Sequence, residues 1–212
     1  MSRYMSAYVM SATLFAVGSG AAMAQDSLDV AWVHSNAAAQ SEQRVKAGFE
    51  EWLGENGYDW NVSFLDSQDS GEATASNLQD AVSRGVDAII ITMSDLRASK
   101  AAIDVALEAG VPVFSVDSGY IDGVQVDVTT NNWAMSADVS PYLLDQMGGE
   151  GNLIFLRMAE HHGTRKRGDV MEVVLPEYGD VKVLAEHNID YTAFFEDTTS
   201  TMQDYVARFG EG

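Results

Sequence analysis

The sequence predicts an α/β protein of two Rossmann-like, doubly wound parallel-sheet lobes joined by a hinge, the second of them incomplete. Three observations predict it. Short apolar runs alternate with amphipathic helical stretches four times in succession between residues 28 and 116. The runs over 88–93 and 111–116 are apolar on both faces, as strands are when helices cover both sides of a parallel sheet. The same rhythm restarts at Asn152. Such alternation, with right-handed crossovers, gives the doubly wound arrangement.

Residues 1–24 are set apart from this pattern. Arg3 is followed by an apolar stretch over residues 7–17 and by small residues ending Ala22-Met23-Ala24. This is the pattern of an export signal cleaved before Gln25; the apolar run, interrupted by Ser11 and Thr13, is short for a membrane span. The mature chain is expected to be periplasmic and not inserted in the membrane. The organisation read from the chain is therefore 1–24 signal, 25–130 first lobe, and 131–212 a helix leading into a partial second lobe.

A first strand is expected over 28–34, stopping at Ser35-Asn36. A helix follows with Val45, Phe49, Trp52 and Leu53 on one face and Gly54 or Gly57 closing it. Residues 60–65 supply a second strand, ending at Asp66-Ser67, and Ala75, Leu78 and Val82 mark a second helix that Gly85 ends. The stretch GVDAIIITMSDLRASKAAIDVALEAGVPVFSVDSGY from Gly85 to Tyr120 then reads strand, helix, strand. Beyond it, residues 124–129 alternate as a strand would, and Thr129-Thr130-Asn131-Asn132 suits a hinge. The helix over 133–147 should be restarted or kinked by Pro141, and Gly148, Gly149 and Gly151 are read as a loop. A strand over 153–156, a helix over 165–175 stopped by Pro176 and a strand over 181–185 follow. The last helix is given a capping box at Ser200 and Gln203, an apolar face of Met202, Tyr205, Val206 and Phe209, and a stop at Gly210. A further strand would be expected after it, so the chain is read as a truncated frame or a fragment.

Composition excludes several function classes. With no cysteine there is no disulfide, thiolate metal site or thiol nucleophile. The formal charge is −20, and Arg3 is the single charge before Gln25, so the mature chain is more acidic still. Nucleic acid and anionic lipid would be repelled. The acidity suits salty surroundings or an ordinary acidic secreted protein equally.

Few motifs suggest chemistry. Gly18-Ser19-Gly20 lies in the leader, and the glycines near 148 precede a strand where a phosphate loop precedes a helix. There is no nucleophile elbow and no carboxylate pair spaced for acid–base work, so no enzyme and no cofactor is expected. Asn61-Val62-Ser63 is a glycosylation sequon placed inside a strand. His161 and His162 are adjacent, and no third ligand follows at helical spacing, so they are read as a polar loop at a strand end and no metal is expected.

Asp117 is informative by position. In open α/β sheets ligands bind beyond the carboxyl ends of the strands. A carboxylate there can accept from two neighbouring hydroxyls of a polyol, or it can cap the following turn; position alone leaves both open. Arg167 is placed in the first turn of the helix after His161-His162. With Arg165 and Lys166 it forms a basic triplet at the unfavourable positive end of a helix, which suggests a compensating partner. Its planar fork suits hydroxyl and ring oxygens.

GVDAIIITMSD, AGVPVFSVDS and NLIFLRMAEHHGTRKRGDVM, behind an export signal, together resemble the periplasmic sugar-binding proteins of ABC importers, the ribose- and galactose-binding type. The resemblance runs from about residue 28 to the end. Sugar-responsive repressors share this core but begin with a helix-turn-helix, where this chain has a signal. The resemblance implies two lobes closing on one sugar without catalysis, with a membrane permease as partner and a monomeric receptor. It also implies that Asp117 binds sugar hydroxyls and that Arg167 reaches in from the second lobe. Ser118, Asn132, His161 and His162 join the ligand-facing set, and Ser35 and Asn36 lie where the family's first loop enters the cleft. That loop reads Asn36-Ala37-Ala38-Ala39-Gln40, without the aromatics that stack on sugar rings in relatives. This leaves room for a polyol, a furanose or another polar ligand, unless Trp133 or Tyr120 supplies the platform. A receptor feeding a chemoreceptor or sensor kinase is the alternative, and a secreted enzyme on the same scaffold a second.

Overall fold

The computed structural model describes residues 27–210; the proposed export signal lies outside them. Five strands, β1 (Asp29–His34), β2 (Asn61–Asp66), β3 (Ala88–Thr92), β4 (Val113–Val116) and β5 (Asp127–Val128), form one sheet in the order β2-β1-β3-β4-β5, all parallel. The helices between them are α1 (Gln40–Asn56), α2 (Gly71–Arg84) and α3 (Lys100–Glu108).

Alternation in β1 shows how the two faces are covered. Ala31 and Val33 join Ile89, Ile91 and Val113 in a buried cluster with Leu78 and Ala81 of α2 and Ile103 and Ala106 of α3. Trp32 and His34 point the other way, Trp32 meeting Phe49 of α1 edge-on at 4.7 Å between ring centroids. A strand with helices on both sides must be apolar at every position, which is why the sequence shows near-continuous runs here. The buried glutamate Glu42, in the first turn of α1, fastens the end of β1 by pairing with His34 Nδ1 at 2.6 Å.

The second region starts with α4 (Asn132–Gln146). A parallel pair, β6 (Glu150–Arg157) and β7 (Asp180–Asn188), is crossed over by α5 (His162–Val174), and α6 (Phe194–Phe209) follows. The pair carries a bulge at Leu153/Ile154. No residue of α6 is buried, and the strands of this pair are at best half-buried, unlike β1.

The α/β class and the parallel pairing are those the sequence predicts, and several element readings need correction. Pro141 lies inside one helix, so α4 is neither restarted nor ended there. Gly151 belongs to β6 and is not part of a loop. The expected strand over 124–129 pairs only through Asp127–Val128. Ser200 and Gln203 are interior to α6, which begins at Phe194, so they form no capping box; an N-terminus is marked by its start and not by residue types alone.

Helix α5 starts at His162, three residues before the expected start. His161 is its N-cap, its Nδ1 accepting from the Gly163 N–H at 3.2 Å. The Thr164 hydroxyl bonds back to the carbonyls of Met158 and His161. Arg167 consequently sits in the second turn, and the argument from a basic triplet at the helix start applies to Arg165 alone.

Candidate functional site

In a sheet ordered β2-β1-β3-β4-β5 the connections leave in opposite directions from β1 and β3, opening a crevice beyond their carboxyl ends. The backbone marks this rim. Gln68 and Asp69 after β2, Met93 after β3 and Asp117 after β4 all have positive φ, from 48° to 58°. Non-glycine residues held there store strain, which persists where surrounding bonds fix it.

The first group of side chains gathers at the β1/β3 crevice. The Ser35 hydroxyl lies 3.0 Å from Asp69 Oδ1, and the Asn36 amide donates to Asp69 Oδ2 at 2.7 Å. The Tyr191 hydroxyl reaches this point from the segment after β7, sharing a 2.6 Å hydrogen bond with Ser35 and donating to the Met93 carbonyl at 2.8 Å. It thereby bridges the ends of β1 and β3. Burial, reinforced by the carboxylates of Asp69, Glu42 and Asp95, pushes the Tyr191 hydroxyl above its ordinary pKa against the lowering effect of Ser35. A polar-rimmed cavity of about 390 Å³ lies beside it, lined among others by Ser35, Asp69, Ser94, Asn188 and Tyr191.

The second group lies at the end of β4. The Asp117 carboxylate accepts from the Thr129 hydroxyl at 2.7 Å and faces His162 Nε2 at 3.4 Å. Its backbone carbonyl accepts from His161 Nε2 at 3.0 Å; the ring's other nitrogen receives the Gly163 N–H, which fixes the tautomer. Burial raises the Asp117 carboxyl, but His162, Thr129 and the charge of His161 outweigh it and hold the group below the usual carboxylate value. Burial lowers the His161 imidazole below its usual value despite the neighbouring carboxylate. Gly119, at φ 86°, allows the close approach of His162, since a Cβ there would lie 3.1 Å from His162 Cγ.

The turn after β4 is capped by Asp127. Its Oδ1 accepts from the backbone of Ser118 and Gly119 at 3.3 and 3.2 Å and from the Ser115 hydroxyl. The capping duty considered for Asp117 is thus performed from β5, and the Asp117 carboxylate is left facing the second region. Ser118 is committed internally: its hydroxyl accepts from the Ser94 N–H and lies against the Ile91 carbonyl.

Asn132 and Arg167 form the third group. Buried Asn132 at the start of α4 accepts from Arg167 Nε at 2.8 Å, while Ser136 donates to the Arg167 carbonyl at 2.9 Å. Among the described residues no ion pair joins Arg167 to Asp117. Arg167 instead borders a groove of about 440 Å³ between α4, β6 and α5. Of the two candidate stacking aromatics, Tyr120 is 64 % exposed and Trp133 48 %. Tyr120 borders a cavity of about 120 Å³ with Ser118 and His162.

Ser35 and Asn36 thus meet at one crevice, and Asp117, His161 and His162 at a second point of the rim. Asp69, Tyr191, Asp127 and Glu42 escaped the sequence reading. Asp69 carried a weak signal, lying three residues beyond the end of β2; Tyr191 carried none, since its partners lie 156 and 98 positions away.

Residues 30–209 match a family described as the periplasmic binding protein domain. The chain is 25% identical over 138 residues to a xylitol-binding protein of Mycolicibacterium smegmatis, covering 64% of this chain and 39% of the relative. It is 27% identical over 188 residues to a ribose import binding protein of Escherichia coli, covering 88% and 60%. Among solved structures, an ABC transporter solute-binding protein from Agrobacterium vitis with bound allitol superposes with a TM-score of 0.78 at 18% identity, over 87% of this chain and 63% of that one. The chain thus spans less than two thirds of the length of each of these proteins.

Proposed function

This chain belongs to the periplasmic binding protein domain family, and from that premise we propose that it acts as an extracytoplasmic solute receptor, capturing a sugar or polyol for delivery to an ABC permease. The family is one of binding proteins, and the ligand class is taken from relatives that bind xylitol, ribose and allitol. The observation that carries the reading is the rim itself. Hydroxyl, amide and carboxylate groups from residues 35–36, 69 and 117 meet Tyr191, His161 and His162 from the second region across the strand ends.

The proposed lobes are 25–130 and 131–212, hinged through residues 129–132, with export directed by a signal ending at Ala24. A polyol has adjacent hydroxyls, each a donor. Asp117 and Asp69 are acceptor-only when ionised and can take paired O–H groups, while parting Arg167 from Asn132 would free a guanidinium donor on the one and an amide-oxygen acceptor on the other. Contacts such as Tyr191 with Ser35 and His161 with the Asp117 carbonyl would exchange for ligand contacts as the lobes move.

Thermal-shift screening against pentitols, hexitols and pentoses, followed by calorimetry, tests this. At least one polyol or sugar is expected to stabilise the chain, and Asp117→Asn to weaken that binding tenfold or more with little change in the unliganded melting temperature. Stabilisation by amino acids or peptides with none by any polyol or sugar would overturn the ligand class.

A further inference from the structure

His162 is a buried imidazole, 9 % exposed, whose Nδ1 and Nε2 both lack a hydrogen-bond partner. Buried polar groups are normally paired, so an unpaired ring at a cleft asks for a ligand. The ring is not loosely placed: it opens α5 and packs against Gly119. Its Nε2 lies 3.4 Å from Asp117 Oδ1. That distance is long for a hydrogen bond. It is, however, the separation of two donor atoms around one tetrahedral ion, which for bonds of about 2.0–2.1 Å is roughly 3.4 Å. The His161 ring lies next to that of His162, centroids 5.0 Å apart, and one donor atom from each of Asp117, His161 and His162 falls within 4.8 Å of the others.

We propose that Asp117, His161 and His162 form a binding site for a divalent transition metal of the zinc type, with the fourth position open to water. Two imidazoles and one carboxylate are a donor set that such ions favour, whereas calcium and magnesium require oxygen ligands. Adjacent histidines need a third ligand from elsewhere, and the fold provides it from the end of β4, 44 positions before His161. To bind, His161 exchanges its bonds with the Asp117 carbonyl and the Gly163 N–H for the metal. The ion would tie the five-stranded sheet to the start of α5, and Thr129 would hold the ligating carboxylate in orientation. This inference does not rest on the sugar reading and is tested with metal alone.

Calorimetric titration of the untagged chain with zinc chloride, paralleled by cobalt absorption spectroscopy, is the experiment. One ion per chain is expected, with a tetrahedral cobalt spectrum and no competition from magnesium or calcium. His162→Ala and Asp117→Asn should each weaken zinc binding at least tenfold and abolish the cobalt spectrum. His187→Ala, whose ring is engaged with Asp197, should leave both unchanged. If circular dichroism shows that His162→Ala does not fold, His162→Gln, which keeps a polar side chain of similar reach, takes its place. Absence of saturable binding, or equal affinity in the Asp117 and His162 variants, would overturn the site.

Discussion

Tyr191 joins the two regions through one oxygen atom, bonded to Ser35 and Met93. Replacing it by Phe should cost about 1–2 kcal/mol in urea unfolding at neutral pH, since two polar groups lose their partner. Its raised pKa gives a second signature. Above about pH 10 the unfolded chain releases the phenolic proton while the folded chain retains it, so the folded state binds more protons and stability falls as pH rises. Tyr191→Phe should flatten that alkaline decline; an unchanged slope would assign it to other groups. At this scale the sequence exposed the residues at strand ends, Ser35, Asn36 and Asp117, because a strand's end is a local event. It did not expose Tyr191, because nothing local marks a tyrosine in a short helical turn (Tyr191–Ala193) as a bridge.

Helix α1 has no side-chain cap at Ala39, and its first turn is instead anchored by Glu42. The Glu42 carboxylate takes His34 Nδ1 at 2.6 Å and the Ser35 N–H at 3.2 Å, with both side chains of the pair essentially unexposed. Glu42→Ala would strand two buried donors and should lower stability by about 3 kcal/mol or more. Because Ser35 is one of them, the β1 end of the rim should lose order as well. Equilibrium unfolding of Glu42→Ala and Glu42→Gln checks this, and the amide, which can still bond, should cost less. Legibility at this scale was uneven. The apolar runs β1, β3 and β4 were readable because both faces are buried. The start of α5 was not, since a histidine N-cap lies outside the usual Ser, Thr, Asp and Asn signals.

Burial divides the whole molecule unequally. The buried apolar cluster draws its members from residues 31–124. In the second region Tyr142, Val173 and Phe195 are 65, 74 and 83 % exposed. Local opening free energy follows such packing. Native-state hydrogen exchange should therefore find the slowest amides in β1, β3 and β4, with those of β6 and β7 exchanging at least tenfold faster. Equal protection of both sheets would refute this uneven distribution.

Sequence alone determined the α/β class, the alternation of elements, the acidity and the polar residues at the ends of β1 and β4. These follow from local patterns, namely period-2 and period-3.6 burial and the polar stops at Ser35, Asp117 and their like. Tertiary structure decided which strand ends become neighbours, and hence that Tyr191 closes the β1/β3 crevice, that Asp127 rather than Asp117 caps the turn after β4, and that Asp117 faces two histidines. The reason is physical: these contacts join residues from 8 to 156 positions apart, and only the sheet order β2-β1-β3-β4-β5 with its partner pair β6–β7 fixes who meets whom.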